Sequence, residues 1–418
     1  MKPSILLIGE AVTLTHVLRP KIFADALHAA GYTVTLACDP RFEALMGDKP
    51  YRTIPITSVI DADTNAQFLK RNQPLFGPET LATYAKEDTR LMRLVRPQLV
   101  VGDMRQSLSI SARRLNVPYV NIINAHWSPY SDEPLGLVDN PLTGLVGREV
   151  ADRMAEFLAP FGSALVGLPL NMARLGHGLP PLGLTLKDAF ADGDYVVYPD
   201  VPEINPTRGL PPEHRYVGPV HWVPSVPGPD WWDTMPADKP IIYVNLGSSG
   251  EAALLADIAA ALADLPVTAV VGTANKGAVG PVAPNVLVAN FIPGDEATRR
   301  AALVISSGGA SPAYQALAQG APVLGIPSNT DQLVFARIVE RLSAGRCLLE
   351  GDATVASIRH AVTSILDDPR YRTSAGKQAA VLKTYDAPRR FVAFVEEILS
   401  TAGRRRAPAR HPTTIAKS

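Results

Sequence analysis

The stretch Val304-Ile-Ser-Ser-Gly-Gly-Ala-Ser-Pro-Ala-Tyr-Gln-Ala-Leu-Ala-Gln-Gly-Ala-Pro322 decides how this chain is read. It predicts a short buried strand, a glycine turn and then a helix. Ser311 suits the N-cap and Pro312 the first helical position. Gly308 and Gly309 let the backbone come close to a ligand. Unpaired N–H groups at a helix start, together with the macrodipole, favour a phosphate. The same stretch also reads as a plain strand-to-helix connection, which many α/β proteins contain.

Working outward, Val288-Ala-Asn-Phe-Ile-Pro293 lies upstream and Gly325-Ile-Pro-Ser-Asn-Thr-Asp-Gln332 downstream, followed by Ala336 and Gly345. This run resembles the donor-binding half of the family 1 glycosyltransferases, the nucleotide-sugar-dependent GT-B enzymes. That family carries a loop ending in Pro, a strand, a His-Gly-Gly-x-Gly-Thr turn, a helix, a Gly-x-Pro strand and an Asp-Gln pair. The distance from the turn to Pro322 fits without a gap, and the resemblance extends more weakly over most of the chain. It implies an α/β protein of the GT-B class, with two Rossmann-like domains facing each other across a cleft.

Composition agrees with an ordinary globular chain. Its 418 residues suffice for two or three domains, and 46% are hydrophobic. Lys+Arg and Asp+Glu both number 40, so the basic bias of a nucleic-acid footprint is missing. Cys38 and Cys347 are too few for a disulfide framework or a cysteine zinc site. The start, Met1 to Gly9, enters a strand without the longer apolar core of a signal peptide. No segment has the ~18 uninterrupted apolar residues of a membrane span. A cytoplasmic protein without stable membrane insertion is expected. A homodimer is compatible with the sequence, which does not set the oligomeric state.

Predicted strands alternate with predicted helices, the mark of parallel α/β architecture. The first half has strands at 5–8, 33–37, 99–101 and 119–123, with helices at about 20–30 and 107–115. Residues 130–190 break this rhythm, with an amphipathic segment at 149–158 and a helix at 170–181 stopped by prolines. A strand at 195–198 then closes the first domain. A proline-rich linker with Trp222, Trp231 and Trp232 separates the halves. The second half opens with a strand at 241–246, a helix at about 252–262 and a strand at 268–271. The expected division is an acceptor domain at 1–218, a linker at 219–240 and a nucleotide-sugar domain at 241–386. A helix at 387–402, amphipathic from 391 to 400, crosses back to the first domain, and a basic disordered tail at 403–418 follows.

Doubly wound sheets bind ligands at the C-terminal ends of their strands. Glycosyl transfer with inversion needs a base for the acceptor proton, and a histidine beside a carboxylate supplies one. His16, in the loop 10–19 after the first strand, occupies the place of the family's Gly-His-x-x-Pro pattern. Here the pattern is Thr15-His-Val-Leu-Arg-Pro20, one residue longer and without the Gly. Asp103, after a neighbouring strand, is the carboxylate that the resemblance pairs with it; it also reads as a helix N-cap. Asn124, His126 and Trp127 follow the next strand and are candidates for the acceptor pocket, with His126 an alternative base.

On the donor side, Gly247, Ser248 and Ser249 follow the first strand of the second half and allow close approach. Phe291 and Ile292 would frame the nucleobase. Ser307, Gly308, Gly309, Ala310 and Ser311 would hold the diphosphate, and Asp331 and Gln332 the sugar hydroxyls. No metal is called for, since the helix dipole and donors can stabilise the leaving group. No cofactor is expected either; the nucleotide-sugar is a co-substrate. The chain departs from the family turn in carrying Ser307 for the histidine, and Ser311 and Pro312 for the Gly-Thr that ends it. The expected activity is an inverting transfer from a UDP- or dTDP-sugar to a hydroxyl of a small apolar acceptor. Its rivals are a degenerate GT-B protein that binds without transfer, and a nucleotide-sugar epimerase of the same fold.

Overall fold

The computed structural model describes residues 2–59, 75–136, 138, 146–183, 185–221, 227–236, 238–247, 253–274, 279–280 and 282–406. Among these residues the chain forms two parallel sheets. The first contains β1 (Ser4–Gly9), β2 (Thr33–Cys38), β3 (Arg52–Pro55), β4 (Leu99–Asp103), β5 (Tyr119–Ile122), β6 (Tyr195–Tyr198) and β7 (His214–Tyr216), in the order β3-β2-β1-β4-β5-β6-β7. Ile5 to Ile8 and Leu99 to Val101 have no exposed surface, as continuous apolar runs demand when helices cover both faces of a sheet. The helices of this half are α1 (Leu14–Ala29), α2 (Pro78–Val95), α3 (Leu108–Leu115), α4 (Arg148–Gly176) and α5 (Leu186–Phe190).

The second sheet contains β8 (Ile241–Asn245), β9 (Thr268–Gly272), β10 (Val286–Ala289), β11 (Ala301–Ser306), β12 (Val323–Gly325) and β13 (Gly345–Cys347), in the order β10-β9-β8-β11-β12-β13. Its helices are α6 (Leu254–Leu262), α7 (Gly294–Arg300), α8 (Ala310–Ala318), α9 (Thr330–Arg341), α10 (Val355–Asp367) and α11 (Pro369–Leu382). The strand order reverses between β1 and β4 in one sheet and between β8 and β11 in the other. Crevices open beyond the carboxyl ends of strands at such switch points.

The last helix, α12 (Ala387–Arg406), returns to the first sheet. Phe391 stacks on Phe23 of α1 at 4.1 Å between ring centroids, and Phe394, Val395 and Ile398 complete that core. The helix runs four residues beyond its expected end at 402. The rest of the basic tail lies outside the described residues.

Three expectations about elements change. Helix α1 begins at Leu14, with Pro20 inside it. The ring removes the N–H that would bond the His16 carbonyl, and that carbonyl lies where a side chain on Gly9 would collide with it at 2.7 Å. The segments expected at 149–158 and 170–181 are joined in one 29-residue helix, α4, which ends at Gly176, five residues short of 181, before Gly178 turns the chain with φ +73°. The described end of the linker is not open chain: Trp232 and Met235 are buried in the core of the second half.

Candidate active site

The β1–β4 switch point gathers the first group of polar side chains. Gly9 and Asp103 are register partners at the ends of β1 and β4. The chain leaving β1 turns at Thr13 into α1, so His16 sits in the first helical turn rather than in a loop. Its Nδ1 lies 2.7 Å from Asp103 Oδ1. Asp103 is fully buried, while the His16 side chain keeps 19% of its surface exposed. When Nδ1 donates to this carboxylate, the Nε2 lone pair is left available; Arg19 Nη2 also lies 2.8 Å from Nδ1. No described residue bonds Nε2.

Arg19, one turn further along α1, shares the same carboxylate. Its Nε donates to Asp103 Oδ2 at 2.7 Å and its Nη2 to Oδ1 at 2.8 Å. The fork matches the carboxylate geometry and keeps a buried anion paired. Nη1 donates to Asn124 Oδ1 at 3.0 Å. Asn124 therefore binds Arg19, and through Nδ2 Asp200 at 3.2 Å, rather than facing an open pocket.

A second buried charge braces the loop that leads to His16. Arg105 donates to Glu10, Glu87 and Asp88 at 2.6, 2.6 and 3.0 Å and lies over the Tyr84 ring. Burial pushes the Glu10 and Asp88 carboxyls up, and Arg105 offsets this only in part.

The β8–β11 switch point presents the other wall. Gly308 takes φ +77°, and a Cβ there would lie 2.9 Å from the Ala336 side chain. Its glycine is thus explained by packing against α9. Helix α8 starts two residues earlier than expected, with Gly309 rather than Ser311 as N-cap, so Ser311 and Pro312 occupy its first turn. The first intrahelical bond runs from Ala313 N to Gly309 O. The N–H groups of Gly309, Ala310 and Ser311 meet no described acceptor, and Pro312 contributes none. Ser307 is buried beside them, Phe291 is half exposed and Ile292 is buried. Gly247 takes φ +64° after β8, and Ser248 and Ser249 lie outside the described residues.

The two walls meet across the cleft. His126 Nε2 lies 2.9 Å from Asp331 Oδ1, and Trp127 Nε1 donates to the same oxygen at 2.7 Å. His126 is fully buried, with Nε2 held against Asp331 rather than facing open space. Burial raises the Asp331 carboxyl, but the hydrogen bonds and charge of His126, aided by Trp127 and His16, outweigh this and bring it to about 2. Gln332 is buried with Oε1 accepting from Ser328 N and Oγ, so it braces a loop rather than presenting its carbonyl to a sugar. Tyr314 of α8 donates to Asp200 Oδ1 at 2.9 Å, and Arg341 pairs with Glu133. Arg19, Asp200, Tyr314 and Arg105 were not legible in the sequence, because each acquires its partner only through tertiary contact.

Residues 253–398 match the family described as erythromycin biosynthesis protein CIII-like, C-terminal domain. A PGL/p-HBAD biosynthesis glycosyltransferase of Mycobacterium tuberculosis is 41% identical over 375 residues, which cover 90% of this chain and 87% of that protein. The chain belongs to the bacterial small-molecule GT-B glycosyltransferases. A PGL/p-HBAD biosynthesis rhamnosyltransferase of Mycobacterium bovis is 40% identical to this glycosyltransferase over 90% of the chain and 83% of its own length. A relative named as inactive, also from Mycobacterium bovis, is 43% identical over 60% of the chain and 68% of its own length. The matches that span 90% of this glycosyltransferase are to proteins named for transfer, which favours transfer over binding alone or epimerisation.

Among solved structures, spinosyn forosaminyltransferase superposes with a TM-score of 0.70 at 18% identity, covering 96% of this chain and all of that one. Spinosyn rhamnosyltransferase complexed with thymidine diphosphate gives 0.66 at 18% identity, with the same coverage. These likenesses establish the GT-B fold of the glycosyltransferase. No helix among its described residues is long and apolar enough to cross a membrane.

Proposed function

We propose that this glycosyltransferase moves a sugar from a dTDP- or UDP-sugar to a hydroxyl of a small apolar acceptor, with inversion. The observation that carries the reading is the placement of His16, with Nε2 unbonded among the described residues, at one switch point, and of three unbonded N–H groups of α8 at the other. Nε2 takes the acceptor proton as the acceptor oxygen attacks the anomeric carbon from the first half. The bond between that carbon and the diphosphate breaks on the opposite side. Charge developing on the diphosphate is met by the N–H groups of Gly309, Ala310 and Ser311 and by the dipole of α8. This route needs no metal.

The thymidine diphosphate complex of the structurally similar spinosyn rhamnosyltransferase, and a rhamnosyltransferase among the sequence relatives, support a dTDP-deoxysugar over a UDP-sugar. Phe291, half exposed at the rim, offers a face for the base. Oδ1 of Asp331 holds His126 and Trp127, and its other oxygen would accept from a sugar hydroxyl. Melting temperature measured with dTDP, UDP and GDP tests the donor site. At 100 times its Kd a ligand adds about 2.7 kcal/mol, a rise of several degrees. We expect dTDP or UDP to give that rise and GDP to give none; no rise with any of the three would reject the donor site.

A further inference from the structure

We propose that Arg19 is a positioning residue that makes the orientation of His16 depend on the seating of helix α8, through a continuous chain of hydrogen bonds that crosses the domain interface. The inference rests on the reading of His16 as the base and adds a residue, and a coupling, which that reading does not contain.

The chain is Arg19 Nη1 to Asn124 Oδ1 at 3.0 Å, Asn124 Nδ2 to Asp200 Oδ2 at 3.2 Å, and Tyr314 OH to Asp200 Oδ1 at 2.9 Å. Asp200 also accepts from Ala125 N at 2.7 Å. Arg19, Asp103, Asp200 and Tyr314 are all buried and Asn124 is partly buried, so solvent access to these contacts is limited. Burial and the neighbouring Asp200 both raise the Tyr314 hydroxyl, which keeps it a donor.

Both ends of this chain sit at functional positions. At one end Asp103 Oδ1 accepts from Arg19 Nη2 and lies 2.7 Å from His16 Nδ1, and Nη2 lies 2.8 Å from that same Nδ1. The carboxylate is held by the guanidinium fork, and the imidazole is aimed by the carboxylate. A shift of Arg19 therefore turns His16. At the other end Tyr314 lies four residues after Ala310, on the same face of α8. The helix tip that would receive the diphosphate cannot move toward or away from the first half without disturbing the Tyr314–Asp200 bond. Asn124 and Asp200 lie just after β5 and β6, and they fill the distance between these two ends.

A residue that only filled the core would not link the two halves in this way. A flexible lysine cannot bond both Asp103 oxygens and Asn124 at once. Arg19→Lys thus keeps a positive charge beside Asp103 but cuts the chain. Tyr314→Phe removes one hydroxyl from the far end and leaves the ring packed.

The test combines turnover with an NMR readout. We expect Tyr314→Phe to lower kcat about tenfold, the size of one net hydrogen bond, while donor KM changes less than about twofold. The double variant with Arg19→Lys should be no slower than Arg19→Lys alone, because the second cut falls on a chain already broken. Unchanged kcat in Tyr314→Phe, or effects that multiply in the double variant, would overturn the proposal. The ring nitrogens of His16, identified by their loss in His16→Ala, are followed in parallel with 15N-histidine protein. They should move in Tyr314→Phe, and unmoved nitrogens would also overturn it. That second readout needs no turnover. If wild-type protein transferred no sugar, the functional reading would fail while the coupling was still decided by the spectra.

Discussion

His126 and Asp331 stand 205 positions apart in the chain, and their side chains meet at 2.9 Å where the two sheets face each other. One residue follows β5 and the other opens α9, so this contact reports directly on domain docking. With His126 and Trp127 on Oδ1, Asp331 holds its charge down to about pH 2. A carboxylate lowered in the folded state stabilises above its unfolded pKa, and that contribution is lost as pH falls from about 4 to about 2. Because 40% of the side chain is exposed, screening reduces the contribution to about 1 kcal/mol. Asp331→Asn should lose that amount in urea unfolding at pH 7, and the gap to wild type should shrink below pH 4. A gap independent of pH would contradict the ionic part of the contact.

Gly308 and Gly309 should part company on substitution. Gly308→Ala meets φ +77° and a contact of 2.9 Å with Ala336, whereas a Cβ on Gly309 finds its nearest neighbour at 3.6 Å. The first change should cost about 2 kcal/mol or more and the second under about 0.5 kcal/mol. Chemical denaturation of both variants checks this, and equal losses would show that Gly308 is not held by packing.

Much of this architecture is legible in the sequence, for identifiable reasons. Apolar runs such as Ile5 to Ile8 and the turn at 308–309 are local signals, and they point to the parallel sheets and the strand-to-helix corner. His16 and Asp103 stand out because both follow strands that prove to be neighbours. Pro20 misleads the reading of α1, since proline commonly opens a helix and here lies within one. Asn124 and His126 fall on the correct side of the sheet, but the sequence suggests open surroundings for them. Their neighbours Arg19 and Asp331 come from other elements, and no periodicity announces such partners. Gln332 shows the same limit, because Ser328 satisfies it only once α9 has folded against its preceding loop.

Arg105→Met should be strongly destabilising at neutral pH, by about 3 kcal/mol or more, because Glu10 and Asp88 would remain buried without their counter-charge. Burial already raises both carboxyls. Protonating a carboxyl whose folded pKa lies above its unfolded value favours the folded state at low pH. The loss in this variant should therefore be smaller at pH 5 than at pH 7. A loss that grows on acidification would contradict the account of this cluster.

Ser307 stands where the family turn carries histidine, beside the unbonded N–H groups of α8. Ser307→His should tighten dTDP or UDP binding about tenfold if the ring adds a charge-assisted donor to the diphosphate. Calorimetric titration measures it. Weaker binding would mean that the serine hydroxyl contacts the ligand itself.

The central claim is that the imidazole of His16 removes the acceptor proton while a nucleotide diphosphate rests on α8. Product formation followed by mass spectrometry, with a panel of nucleotide-sugars and apolar hydroxyl acceptors, compares wild type with His16→Ala while melting temperature records nucleotide binding. We expect turnover to fall about 100-fold or more, as for loss of a general base, with the nucleotide-induced rise in melting temperature retained. Undiminished turnover in His16→Ala would contradict the claim.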